Sequence, residues 1–276
     1  MPSCENMGWV ERVREGRFRD CLDWGMEERE GRAREVPESP TEPREIGLDR
    51  TSIRCLSFDC YGTLVDWETG LSHVLGEILG RHAVAVESPR LLELFAEIEA
   101  EVEASNFIPY REVLRSVLQR LGALLGFSPS AADLHEFSGS VARWPVFPDT
   151  VAALRALGAK YRLVVLSNVD DDLFAATEKA LGVAFDGVFT AQAIGAYKPS
   201  RENFEYLIQH AGVAPDAILH VAQSVYHDIG PARQVGLACA WVNRRGCASG
   251  SGATPPAEVI PHVEVPDMKS LARLLL

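Results

Sequence analysis

The chain has 276 residues, 47% of them hydrophobic, and a formal net charge of -12. That length gives one or two domains with a sizeable core, and the acidic balance argues against nucleic acid or an anionic membrane surface as the main partner, since both ask for a basic face. A small anionic substrate stays open, because one local lysine or arginine outweighs a remote acidic surface at short range.

Six cysteines are present, Cys4, Cys21, Cys55, Cys60, Cys239 and Cys247, and none falls in a CxxC pair. Neither a zinc ribbon nor a thioredoxin-type motif is indicated. Cys55 and Cys239 sit inside apolar runs and read as small buried hydrophobes. A reducing compartment fits this usage. No stretch approaches the length of a membrane span, and the N-terminus lacks the apolar core of a secretory signal. A soluble, cytoplasmic protein is expected.

Residues 1–50 differ in kind from the rest. The runs Glu27-Glu28-Arg29-Glu30-Gly31-Arg32 and Pro37-Glu38-Ser39-Pro40-Thr41-Glu42-Pro43 are charged and proline-broken. They bury too little apolar area to offset chain entropy. The segment reads as a polar, disordered extension, or as a start codon assigned too far upstream. Trp9, Val10, Phe18, Leu22 and Trp24 would make one short amphipathic helix within it.

Order is expected to begin at Ile53. Ile53 to Phe58 is an apolar run ending at Asp59 and a Gly62-Thr63 turn, the pattern of a buried strand. Residues 67–144 read as helical, with Leu91, Leu92, Leu94, Phe95 and Ile98, then Val113, Leu114, Val117, Leu118 and Leu121, at helical spacing. Asp133, Leu134 and Phe137 suggest a further helix, and no strand is expected in this block. Strands then alternate with helices. The strands are Arg162 to Leu166, Gly187 to Thr190, Ile218 to Ala222, Ala238 to Val242 and an edge strand within Pro261 to Val265. The helices run from Pro148-Asp149 to Leu157, with Asp149 as N-cap, then Asp171 to Leu181, Arg201 to Ala211, Asp228 to Val235 and Met268 to Leu276.

This alternation predicts an α/β fold with a doubly wound parallel sheet. Residues 51–66 and 145–276 would form the core, and 67–144 a helical cap inserted after the first strand. In such sheets ligands bind outside the carboxyl ends of the strands. Asp59, Ser167-Asn168 and the segment Gln223 to Asp228 should therefore meet at one crevice under the helices.

Four segments at strand ends carry chemistry. Asp59, directly after a buried strand, is a costly place for a charge unless it is used or paired. Ser167 and Asn168 are small hydrogen-bonding side chains. Tyr197-Lys198-Pro199 puts a lysine before a rigid residue. Ser224 to Asp228 brings a second acid to a helix start.

In order and placement these segments resemble the four motifs of the haloacid dehalogenase-like hydrolase superfamily, over about residues 53–276. The resemblance implies a Rossmann-like core and an aspartate nucleophile, Asp59. Phosphatases of the superfamily carry a second Asp two residues after the nucleophile to protonate the leaving alcohol; here that residue is Tyr61. The segment Asp59 to Leu64 looks like the L-2-haloacid dehalogenase branch, whose halide leaves without a proton. Those phosphatases also place a magnesium-binding Asp where this chain has Gln223. The branch implies metal-independent chemistry without a cofactor, Mg²⁺ entering only under the alternative of a phosphatase acting on a small phosphate ester.

The implied reaction converts a short 2-haloalkanoic acid to the 2-hydroxy acid through an ester on Asp59. Lys198 is expected to hold Asp59 ionised, an opposite charge within about 4–6 Å lowering a carboxylate pKa by about 1–3. Ser167 and Thr63 would fix the attack angle, Asn168 would offer its amide to the halide, and Asp228 would orient Lys198 and the hydrolytic water. Tyr61 and Phe204 would line the substrate site, Phe204 standing where the branch has a tyrosine. A cap arginine that reads the substrate carboxylate would fall near the acidic Glu101, so Arg111, or Arg115, is the nearest basic candidate. The expected partner is a small organic acid, and the resemblance permits a second copy of the chain docked through the apolar cap helices.

Overall fold

Backbone amides inside an apolar segment need partners, and the apolar runs supply them to one another. The computed structural model describes residues 43–246, 257 and 259–276, all within one compact unit, Glu38–Leu276. Residues 1–42, with the short helix read there, lie outside the described residues. Seven strands form one sheet: β1 (Arg44–Glu45), β2 (Cys55–Phe58), β3 (Arg162–Ser167), β4 (Gly187–Thr190), β5 (Ile218–Ala222), β6 (Ala238–Val242) and β7 (Val263–Val265). Their order is β1-β7-β6-β5-β2-β3-β4. The pairs from β7 across to β4 are all parallel.

Two expectations are corrected here. Order begins before Ile53, because Arg44 and Glu45 pair antiparallel with Glu264 and Val263. β7 is accordingly an internal strand. A two-residue strand held through its main chain leaves no trace in a hydropathy pattern.

Between β2 and β3 lie α1 (Trp67–Arg81), α2 (Ser88–Glu103), α3 (Tyr110–Leu125) and α4 (Ala131–Gly139), then α5 (Thr150–Gly158). Their apolar stripes face inward: Leu71, Val74, Leu75 and Ile78 on α1, Leu91, Phe95 and Ile98 on α2, Val113, Val117 and Leu121 on α3. Gly126, at φ 82°, ends α3 in the left-handed conformation that costs glycine nothing. Asp133 ties the bundle: it completes a capping box with Ser130 and accepts from Arg81 at 2.8 Å and His82 at 3.0 Å.

Beyond β3 come α6 (Asp171–Leu181), α7 (Ala191–Ile194), α8 (Arg201–His210), α9 (Gly230–Gln234) and α10 (Met268–Leu275). The helix expected from Asp228 begins earlier, as a π-helical turn over Val225–Ile229 in which Ser224 caps His227. Asp149 does not cap its own helix, α5. Its carboxylate accepts instead from the Met268 N–H of α10 at 2.7 Å and from Arg244 at 2.8 Å.

Asp170, just past β3, accepts from the N–H groups of Tyr110 and Arg111 at 2.7 and 3.0 Å. An acid at a helix N-terminus satisfies amides that have no partner within the helix. Tyr197 donates to the Ile108 carbonyl at 2.8 Å. Together these bonds pin the α2–α3 corner over the carboxyl ends of the strands.

Candidate active site

Asp59 follows β2 directly, and its N–H donates to the Val221 carbonyl at 3.0 Å. The chain turns at Gly62, at φ 96°. The turn brings Thr63 Oγ1 back to donate to Asp59 Oδ2 at 2.7 Å, while Thr63 Oγ1 itself accepts from the Gln223 N–H at 2.8 Å. On the other side Lys198, 2% exposed, donates to Asp59 Oδ1 at 2.8 Å, Asp228 Oδ1 at 2.7 Å and the Leu166 carbonyl at 3.0 Å. These three bonds use every ammonium hydrogen.

Asn168 holds Lys198 by its main chain, accepting from its N–H at 2.7 Å and donating to its carbonyl at 3.0 Å. A longer contact from the same amide nitrogen reaches Glu103 at 3.4 Å. The expected role of Asn168 as a halide donor is corrected, since its amide hydrogens are committed to Lys198 and Glu103.

Burial pushes the Asp59 carboxyl up; Lys198 pulls it down, Asp228 pushes it up again, and the result lies above the usual carboxylate range. Burial also raises Asp228, but Lys198 and a hydrogen bond from His220 outweigh it and hold that carboxyl low. Burial opposes the charge on Lys198, yet the two acids leave its pKa raised. Lys198 lowers Asp59 as expected, but burial and Asp228 outweigh that pull. One ammonium serves two acids, and Asp228, with His220 in addition, is the better compensated.

Above this base, Glu99 and Glu103 of α2 and Tyr110 of α3 line the same cavity of about 50 Å³, with Tyr61 and Trp67. Tyr110 donates to Glu99 Oε1 at 2.7 Å. Burial pushes Glu99 up to about 8. Glu103, at the rim, is pushed the same way by burial and by Glu99 beside it, with Lys198 opposing. His227 also lines the cavity, and burial lowers it to about 4. The buried Ser167 Oγ and Asp228 Oδ2 have no hydrogen-bond partner.

Of the residues singled out from sequence, Asp59, Tyr61, Ser167, Asn168, Lys198 and Asp228 line the cavity, with Thr63 bonded to Asp59. Two do not reach it. Phe204 is fully buried in the core, packing edge-on against His220 with ring centroids 5.5 Å apart. Arg111 turns outward, its guanidinium held by Asp172 at 2.5 Å and by the Ser138 carbonyl at 3.4 Å. Arg115 pairs with Glu112, and Glu101 with Arg120, on the surface. Among the described residues no arginine lines the cavity.

Sequence reasoning missed Glu99, Glu103, Tyr110 and His220. The last is buried under the site, 2.9 Å from Asp228 Oδ1 and 3.1 Å from Ser57 Oγ. Cys60, beside Asp59, is buried and its thiol is pushed well up by burial and by Asp59. That suits a small loop residue and not a redox group.

A family model described as haloacid dehalogenase-like hydrolase matches residues 53–236, and the chain belongs to that family of hydrolases. It is 26% identical over 219 residues to an (S)-2-haloacid dehalogenase of Pseudomonas sp. (strain YL), covering 75% of this chain and 90% of that one. It is also 26% identical over 197 residues to a 5-amino-6-(5-phospho-D-ribitylamino)uracil phosphatase of Escherichia coli (strain K12), covering 67% and 77%. In fold it is similar to the L-2-haloacid dehalogenase of Xanthobacter autotrophicus. The TM-score there is 0.68 at 23% identity, over 81% of this chain and 98% of that one. No helix among the described residues is long and apolar enough to cross a membrane.

Proposed function

We propose that this hydrolase displaces halide from C2 of a short 2-halo compound, the class to which the 2-haloalkanoic acids belong, with Asp59 as nucleophile. The observation that carries the reading is Tyr61. Where a phosphate ester would need a proton donor for its leaving alcohol, this chain has a phenol. Its hydroxyl is engaged with Thr177 at 2.9 Å, and burial keeps its pKa well raised. A halide needs no such proton.

In the first step an Asp59 oxygen forms a bond to C2 as the carbon–halogen bond breaks, and the halide departs with the bonding pair. Thr63 and Lys198 hold the carboxylate by one bond on each oxygen, which fixes its approach. The unpartnered Ser167 Oγ is a donor for the departing halide or the substrate. In the second step water adds to Cγ of the ester. Asp228, whose Oδ2 is unpartnered, takes a proton from that water. Cγ then collapses as its bond to the substrate oxygen breaks; that oxygen takes back the proton held by Asp228 to give the 2-hydroxy product, and the acid left on Asp59 releases its proton to solvent.

The phosphatase alternative, which the Escherichia coli relative keeps in view, asks for Mg²⁺. The residues do not fit that ion. The Lys198 ammonium bridges Asp59 and Asp228, and Gln223 supplies an amide where a further carboxylate would be wanted. No group of three or more His, Cys, Asp or Glu among the described residues is placed to hold a metal.

The test is a single turnover of 2-chloropropionate and of 2-chloropropionamide in H₂¹⁸O. The label should enter the Asp59 carboxylate, read by peptide mass, and the Asp59→Asn variant should release no halide. Label in the product of the first turnover would mean direct attack by water and would overturn the mechanism.

A further inference from the structure

The reacting floor of the cavity is that of an aspartate-nucleophile hydrolase, but its roof is unlike anything suited to an anion. Glu99, Glu103 and Tyr110 line it, and Lys198, the one Lys or Arg among the described residues that lines the cavity, has all three hydrogens engaged with Asp59, Asp228 and Leu166. Two carboxylates already share that ammonium. A substrate carboxylate entering the same space would add a further buried negative charge without a partner.

We propose that the helical side of this cavity selects an uncharged amide end on the substrate, so that the chain acts on a 2-halocarboxamide in preference to a 2-halocarboxylate. The inference rests on the reading of Asp59 given above and deepens it. An amide brings N–H donors and a carbonyl acceptor, whereas a carboxylate brings acceptors alone. The roof is matched to the former. Glu99 is 7% exposed and uses Oε1 to accept from Tyr110; Glu103 uses Oε2 toward Asn168. One oxygen of each carboxyl group is thus outside those bonds. Burial pushes Glu99 up to about 8 and pushes Glu103 in the same direction, and a protonated carboxyl group donates and accepts side by side, as a primary amide does.

A second observation points to a ligand in the same space. Ser167, 2% exposed, lines the cavity and its Oγ has no partner. A buried hydroxyl is normally satisfied, and a substrate carbonyl would satisfy it. Glu103 also stands at a junction, lining a neighbouring hollow of about 370 Å³ that shares Lys198 and His227 with the first. A substituent extending from the amide nitrogen would have room there.

The experiment has two readouts on the full chain. Calorimetry compares lactamide with lactate, which cannot lose halide; halide release compares 2-chloropropionamide with 2-chloropropionate. Lactamide should bind about tenfold more tightly, the weight of one well-made neutral hydrogen bond. Glu103→Arg should shift preference toward lactate by about tenfold or more, and an unchanged preference in that variant would overturn the role given to the roof. Lactate binding as tightly as lactamide, or neither binding, would overturn the inference. Preferred binding of lactamide with no halide released from either chloride would leave the selectivity standing and refute the dehalogenation instead.

Discussion

His220 Nε2 lies 2.9 Å from Asp228 Oδ1, the same oxygen that accepts from Lys198 at 2.7 Å. With the acceptor on the acid, Nε2 carries the proton, and Nδ1 accepts from Ser57 Oγ. The histidine thereby fixes the orientation of Asp228 from within β5. Replacing His220 with Leu removes one donor from Asp228 and leaves the Ser57 hydroxyl buried and unpaired. Urea unfolding should show a loss of about 1–3 kcal/mol. Activity should fall mainly in kcat, with KM little changed.

Lys198→Met leaves two buried carboxylates facing one another. Losing one partner of a buried ion pair costs about 3–5 kcal/mol, so unfolding at pH 7 should show a deficit of that order. The deficit should shrink at pH 4, because protonating either acid removes the repulsion. Activity should be lost at both values.

Glu99 gives a pH signature of the opposite kind from a salt-bridged acid. Its folded pKa is raised from 4.5 to about 8, so between those values the native state holds a proton that the unfolded chain has released. Stability is therefore greatest below the unfolded value and falls as pH rises toward 8, by about 1.4 kcal/mol per pH unit at most. Glu99→Gln should flatten this slope and be more stable than the parent at pH 8. Unfolding curves at pH 5 and pH 8 check both statements.

Gly70 sits against Trp144: an added Cβ would lie 2.3 Å from its Cδ1. Trp144 in turn meets Tyr61 edge-on, with centroids 5.5 Å apart. Gly70→Ala should displace the indole, disturb the Tyr61 wall of the cavity and raise KM, with a stability loss of about 1–3 kcal/mol for overpacking. Gly76, on the same helix with open space around it, serves as control. Gly76→Ala should stabilise by about 1 kcal/mol and leave KM unchanged.

The sheet was legible because its inner strands are continuous apolar runs, as Cys55–Phe58 and Ile218–Ala222 show with every residue buried. The same continuity hid His220, which reads as filler in an apolar strand until its neighbours are known. The floor of the site was legible because Asp59, Ser167, Lys198 and Asp228 all stand at or near strand ends. Its roof was not, since Glu97, Glu99, Glu101 and Glu103 look like one solvated acidic run. The usable signal was the row Leu91, Phe95, Glu99, Glu103 at four-residue spacing. It continues the buried stripe of α2, whereas Glu97 and Glu101 are exposed and pair with Arg90 and Arg120. Arg111 was misplaced for a related reason: spacing along the chain gives no direction, and its guanidinium is engaged on the outer side by Asp172.

Asp149, Arg244 and Thr63 form a line of force through the molecule. One oxygen of Asp149 receives the first amide of α10, and the other receives Arg244, which lies over the Phe147 ring at 4.0 Å. Arg244 also donates to the Thr63 carbonyl at 2.8 and 3.2 Å, and the Thr63 hydroxyl steadies Asp59. The aim of Asp59, the proposed nucleophile, is thus set in part by a helix on the opposite end of the sequence, and loosening that helix would blunt the proposed chemistry without touching any group that meets the substrate.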